Sequence, residues 1–118
     1  MLAKKARACL TRRPFSAGVI RLAERRDIGV IGMKPFGGFG MFGSLKGTEH
    51  ERQLTAPALL RYALSNSRLS VSIPGMRCPQ EVEENVRLAS SYVPMAPAEK
   101  GRLVRQVRAF LASMSNPR

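Results

Sequence analysis

Two short segments of the chain have the hydrophobic pattern of β-strands. Residues 28–33 form a continuous run of apolar residues and glycines, which is typical of a strand covered on both faces. In residues 69–73, leucine, valine and isoleucine alternate with two serines, and Pro74 and Gly75 then end the pattern. These segments predict two strands.

Apolar residues recur at helical spacing between and after these strands. The predicted helices cover residues 16–26, residues 55–66, a stretch that begins at Pro79 and a stretch that follows Pro97. Pro14 is expected to end any helix before it, Ser16 to cap the first of the four and Thr55 to cap the second. Strands that alternate with helices predict parallel connectivity, and a parallel sheet needs more than two strands, so the chain resembles part of a larger α/β fold.

The charge of the chain is strongly positive, with a formal net charge of +12 over 118 residues. The excess lies in the first 26 residues, where Glu24 is the only acidic residue. We interpret residues 1–15 as a basic lead-in, which by its arginine content also resembles a mitochondrial transit peptide. A small basic nucleic-acid-binding protein is the alternative function, but we do not expect a nucleic-acid partner because residues 81–84 begin a helix with three glutamates.

The remaining composition suits a cytoplasmic protein. No apolar run approaches the roughly 20 residues of a membrane-spanning helix, so no membrane association is expected. Cys9 and Cys78 lie far apart and have no metal-ligand spacing, which predicts neither a disulfide framework nor a metal site.

Three features of the sequence raise the possibility of a site. Gly38, Gly40 and Gly43 spell GxGxxG, but with no helix predicted directly after them we interpret this stretch as a flexible loop. His50 is the only histidine and lies among polar residues, which predicts an exposed residue without a catalytic role. The turn before Pro79 offers free backbone N–H groups at a helix start, where Arg77 could assist in binding a phosphate.

Three segments, in this order, resemble the C-terminal part of the aldo/keto reductases. They read DIGVIGMKPFGG (27–38), LLRYALSN (59–66) and VSIPGMRCPQEVEENVRLAS (71–90). The resemblance implies an α/β fold that is a partial (β/α)8 TIM barrel, with two parallel strands alternating with helices plus a C-terminal helix. Residues 16–118 would be the last two strand–helix units of that barrel.

The resemblance also implies where a nicotinamide cofactor, NADP or NAD, would be held. The implied contacts are Met33 with the nicotinamide ring; Lys34, Pro35, Phe36 and Gly37 beside the pyrophosphate; Gly75, Met76 and Arg77 with the adenosine phosphate; and Glu84 and Asn85 with the adenine. The family's usual Lys-Ser pair is replaced by Gly75 and Met76, and a customary arginine by Glu81, which leaves the choice between the two cofactors open.

The catalytic Asp, Tyr, Lys and His of the family belong to earlier strands, so no catalytic residue is assigned to this chain. The predicted function is an NAD(P)-dependent oxidoreductase that reduces a small carbonyl substrate by hydride transfer, present as a C-terminal cofactor-binding fragment that is inactive alone. A fragment that docks onto a full-length reductase is a further alternative.

Overall fold

The computed structural model describes residues 13–37 and 41–114 of the 118-residue chain. Its helices are α1 (Arg13–Arg25), α2 (Met41–Leu45), α3 (Ala56–Leu64), α4 (Pro79–Ser91) and α5 (Pro97–Ser113), and its strands are β1 (Ile31–Met33) and β2 (Val71–Ile73). The fold of these residues is therefore mixed α/β, mostly helical, with two strands. None of the helices in this part of the chain is long and apolar enough to cross a membrane.

The two strands form a parallel pair, which confirms the predicted connectivity. Ile31 is paired with Val71 and Met33 with Ile73. Before the ladder begins, the backbone N–H of Val30 donates to the hydroxyl of Ser70 over 3.2 Å. β1 is shorter than the six-residue strand expected from the apolar run, because residues 28–30 lie outside the strand.

One face of this sheet is apolar and exposed. The side chains of Ile31, Met33, Val71 and Ile73, which we call the apolar sheet face, are 59%, 68%, 50% and 46% exposed. On the opposite face Leu69 covers Gly32, where a Cβ atom would come within 3.0 Å of the leucine Cδ1. The prediction that the first strand is covered on both faces is therefore wrong for the described chain.

Helix α1 begins earlier than predicted, at Arg13. Pro14 is in its first turn, where a missing N–H leaves no hydrogen bond unmade. The helix that Pro14 was expected to end, and most of the basic lead-in of residues 1–15, lie outside the described residues. Ser16 lies inside α1 and is not its cap. A Schellman motif ends the helix, with Asp27 at a φ of 53°. In this motif the N–H of Asp27 donates to the backbone carbonyl of Glu24, and the N–H of Ile28 donates to the backbone carbonyl of Ala23.

Helix α2 lies in the stretch expected to be a flexible loop without a following helix. It has five residues and directly follows residues 38–40, which are outside the described residues. Its last residue, Leu45, is almost fully buried in the core. Burial of this one leucine gives the short helix a tertiary contact that the glycine content of the segment does not reveal.

The remaining helices match the predicted ones. Thr55 caps α3, its Oγ1 accepting a hydrogen bond from the N–H of Ala58 over 3.4 Å. α5 buries Leu103, Val107 and Phe110, as its spacing predicts. The apolar stripe of α4, formed by Val82, Val86 and Ala89 at helical spacing, predicts that this helix packs through it. α4 buries none of these residues, so the prediction is not met within the described chain.

The core lies between helices and apart from the sheet. It consists of Leu45, Leu54, Leu59, Met95, Leu103, Val107 and Phe110. Beside it, Arg61 of α3 makes a two-bond contact with the carboxylate of Glu99 on α5, over 2.6 and 3.2 Å. The same guanidinium donates to the carbonyl of Val93 over 2.6 Å, which ties the α4–α5 connection to both helices.

Candidate functional site

The carboxyl ends of β1 and β2 lie at one edge of the sheet, which we call the carboxyl edge. Because the strands are parallel and Met33 is paired with Ile73, the segments that follow them leave the sheet side by side. The backbone N–H of Lys34 donates to the carbonyl of Ile73 over 3.0 Å and extends the pairing by one residue. The structure therefore brings together the two segments predicted to contact a cofactor, residues 33–37 and 75–77.

The segment after β1 is a tight turn with two residues of positive φ. Lys34 has a φ of 55° and Gly37 one of 75°, and Gly37 N donates to the carbonyl of Lys34 over 3.0 Å. Pro35 and Phe36 are half-buried, and Phe36 packs against the helical core. Phe36 thus anchors the turn, while the side chains of Met33 and Lys34 extend into solvent.

The segment after β2 is exposed throughout Gly75, Met76 and Arg77. Met76 and Arg77, with Pro79 and Val82 of the next helix, line a groove that is open to solvent. A Cβ atom at Gly75 would meet nothing within 4 Å. No close contact within the described chain therefore requires a glycine at this position.

Arg77 is engaged with Glu81, which lies in the first turn of α4. The carboxylate of Glu81 accepts the backbone N–H of Arg77 over 2.7 Å and a guanidinium N–H over 3.0 Å. The backbone hydrogen bond first, and the side-chain bond second, hold the pKa of Glu81 below its ordinary value. A negative charge of the protein itself therefore lies where the sequence predicts a bound phosphate, and a phosphate would have to share or displace it.

Glu84 and Asn85, the predicted adenine contacts, lie further along α4. Glu84 is exposed and Asn85 half-buried. At a rise of about 1.5 Å per residue they are roughly 8–9 Å along the axis from Pro79. They share the helix that starts at the carboxyl edge but belong to its second turn.

His50, predicted to be exposed, is buried. Only 9% of its surface is accessible, and its ring meets the ring of Phe110 edge-on with centroids 5.8 Å apart. Its Nε2 is 3.5 Å from a carboxylate oxygen of Glu49, and its Nδ1 has no hydrogen-bond partner among the described residues. The signal for burial was present in Leu45 and Leu54, which flank the histidine and are both in the core.

The described residues contain no group of three or more His, Cys, Asp or Glu side chains arranged to hold a metal ion. No family model, no curated protein and no solved structure matches this chain.

Proposed function

We propose that this chain is the cofactor-contacting C-terminal part of an NAD(P)-dependent oxidoreductase of the aldo/keto reductase type. The observation that carries the proposal is the parallel pairing of β1 and β2, because it brings residues 33–37 and 75–77 to one edge of the sheet. In β/α barrels this carboxyl edge is where ligands and substrates bind. The two segments were assigned to the same cofactor on sequence grounds alone, so their meeting at one edge supports the assignment.

Each residue at this edge would contact a different part of the cofactor. The thioether of Met33 offers a polarisable apolar surface to the nicotinamide ring. Lys34 carries a positive charge beside it for the pyrophosphate, and Arg77 with the start of α4 offers a guanidinium and backbone N–H groups to the adenosine phosphate. When bound, the cofactor supplies the hydride that reduces a small carbonyl substrate. The chain's own residues bind and orient, and the proton donor would come from other strands.

Glu81 bears on the choice between NAD and NADP. A 2′-phosphate adds negative charge close to the turn that holds the adenosine end, and Glu81 already supplies a carboxylate there. The repulsion between them favours NAD over NADP at this site. Glu81→Arg, which reverses this charge, is the variant that should shift the preference toward NADP.

The apolar sheet face supports the view that this chain is part of a larger barrel. Four exposed apolar side chains on a two-stranded parallel sheet have the composition of a surface that faces other strands or helices. A barrel of eight strands would supply neighbours at both edges of the pair.

The proposal is tested by titrating the isotope-labelled chain with NADH and NADPH and following backbone amide shifts by NMR. We expect weak saturable binding, in the millimolar range because only part of the site is present, with the largest shifts at Lys34, Gly37, Met76 and Arg77. Arg77→Ala should remove these shifts. Arg87→Ala is the matched control, since Arg87 is an exposed arginine on the same helix and away from its start.

Two results would count against the proposal. One is the absence of nucleotide-dependent shifts at millimolar concentration. The other is a set of shifts centred on a different part of the chain, or lost equally in Arg77→Ala and Arg87→Ala, since neither pattern requires the carboxyl edge.

A further inference from the structure

The outer side of α5 carries three exposed arginines. Leu103, Val107 and Phe110 face the core, whereas Arg102, Arg105 and Arg108, which we call the arginine face, are exposed. Residues spaced by three lie on one side of a helix, and about 9 Å of helix axis separates the first from the last. The helix thus presents a row of positive charges away from the core.

These three guanidinium groups are not neutralised by acidic side chains of the described chain. Within the described chain, the arginines whose nitrogens lie within 4 Å of a carboxylate oxygen are paired as Arg61–Glu99, Arg68–Glu24 and Arg77–Glu81. Glu99 is the only acidic residue of α5, and Arg61 holds it. Arg105 lines a groove together with Glu49, an acidic residue of another segment, but no ion pair joins the two side chains.

Small residues flank the arginines on the outer side of the helix. Ala98, Gly101, Ala109 and Ala112 occupy the same side of α5. Small residues allow a partner's surface to approach the helix closely while the long arginine side chains reach around it. This side has no large apolar residue to enter a bilayer and no aromatic ring on which an unpaired base could stack, which argues against a membrane and against a single strand.

We propose that the arginine face binds the phosphate backbone of a nucleic-acid duplex. A duplex strand has one phosphate per 3.4 Å of axis, so about 9 Å of helix spans about three phosphates. Guanidinium groups match phosphate oxygens with two parallel hydrogen bonds, and such contacts carry no sequence preference. The expectation against a nucleic-acid partner depended on the glutamates of residues 81–84, and these belong to α4, not to α5.

The test measures binding of the full chain to fluorescent duplex DNA and duplex RNA of random sequence by anisotropy, over a series of salt concentrations. Arg102→Gln, Arg105→Gln and Arg108→Gln are combined in one variant. The matched control combines Arg21→Gln, Arg25→Gln and Arg26→Gln, which remove the same charge from exposed positions at the end of α1. Far-ultraviolet circular dichroism verifies the helix content of both.

We expect both duplexes to bind, because the contacts are to phosphate. For loss of three phosphate contacts, the slope of log affinity against log salt should fall by about 2.7 in the α5 variant. In the α1 control, the slope should fall by less than about 0.9, which is the equivalent of one phosphate contact. If the triple variant fails to fold, Arg105→Gln alone should lower the slope by about 0.9.

Two outcomes would overturn the inference: no binding of either duplex at low salt, or equal losses of the salt slope in the α5 variant and the α1 control. Equal losses would mean that net charge alone attracts the polyanion. The inference is independent of the cofactor proposal, because Arg77 and the carboxyl edge are unchanged in both variants.

Discussion

At the start of α4, the carboxylate of Glu81 engages Arg77, an exposed candidate ligand for phosphate. Glu81 accepts two hydrogen bonds from Arg77, and both favour its charged form. Its pKa is lower in the folded chain than in the unfolded chain. The pair therefore stabilises the fold above the unfolded pKa, and this contribution is lost as the pH falls through the folded pKa.

Glu81→Gln removes the charge while keeping an oxygen that can accept the backbone N–H. We expect the variant to lose less stability than the parent when the solution is acidified from neutral pH to below the range of carboxylate pKa values. Arg77, released from its partner, should then bind nucleotides more tightly. Urea unfolding at the two pH values and nucleotide titration at neutral pH measure the two effects.

Glu83→Gln is the control for this variant, because Glu83 is exposed in the same turn of α4. It should leave both the acid-dependent loss of stability and nucleotide binding close to those of the parent. If both variants changed the acid-dependent loss of stability and nucleotide binding to the same extent, the Arg77–Glu81 contact would not be the cause of either effect.

Single residues also mark where sequence reasoning succeeds. Thr55 was predictable as a cap because its hydroxyl, the following Pro57 and the apolar stripe all indicate the same helix start. The backbone conformations of Asp27 and Lys34 were not predictable, because each residue adopts a positive φ that a glycine or an asparagine would have indicated more clearly. The conformation of Asp27 belongs to the local Schellman motif that ends α1, whereas that of Lys34 accompanies the bond from its N–H to Ile73, which depends on tertiary structure.

Among the elements, Arg61 makes the most extensive polar connection. It joins α3 to the carboxylate of Glu99 on α5 and to the carbonyl of Val93 in the connection between α4 and α5. Both charged side chains are about two-thirds buried, so water competes with the pair only partly. The planar fork of arginine makes all three bonds at once, which a lysine cannot do.

We expect Arg61→Ala to lower the free energy of unfolding by about 2 kcal/mol, the range for hydrogen bonds to charged groups, and Arg61→Lys to recover little of it. Arg68→Ala is the matched control: it removes a pair with Glu24 that is about half exposed and should cost less than about 1 kcal/mol. Urea unfolding monitored by circular dichroism gives both values. Similar costs for the two arginines would mean that the partial burial of the Arg61 pair adds nothing.

Element prediction was most accurate where one local pattern dominated. α3, α4 and α5 have a proline in the first turn and apolar residues at helical spacing, and β2 has strict alternation, so each was recognisable in isolation. α2 and the burial of His50 were not recognisable from one local pattern. The flanking Leu45 and Leu54 are a sequence signal for the burial of His50, but that signal acts through tertiary contacts with α5 and the core. For the candidate site, the parallel strand order predicted that two loops would meet, but no pattern in the sequence indicated the contact between Arg77 and Glu81.

At the scale of the whole described chain, some apolar side chains are buried in the core and others are exposed to solvent. The helical core is well covered, whereas the apolar sheet face and the stripe of α4 are exposed. Contiguous apolar patches of this kind promote association with other surfaces. The isolated chain should therefore bind hydrophobic dyes and self-associate as its concentration rises.

Ile31→Thr combined with Ile73→Thr tests this expectation. Threonine keeps the β-branched shape that strands favour, so the sheet should remain while its outer face becomes polar. We expect lower fluorescence of the dye ANS and less association in sedimentation velocity, with little change in Tm. Val19→Thr with Val93→Thr, two exposed valines outside the sheet, should change neither property, and an equal effect of both pairs would argue against a patch on the sheet.

The hydrogen bond between Val30 and Ser70 joins positions 40 residues apart, with α2 and α3 in the intervening chain. Closing a loop of this length costs roughly 3 kcal/mol of chain entropy. Helix α3 and its Thr55 cap involve only neighbouring residues and can form before that cost is met, so we expect the sheet to assemble late in folding. The edge that unites the two candidate cofactor loops would then exist only in the fully folded chain, and a ligand bound there would slow unfolding by holding the last-formed contact.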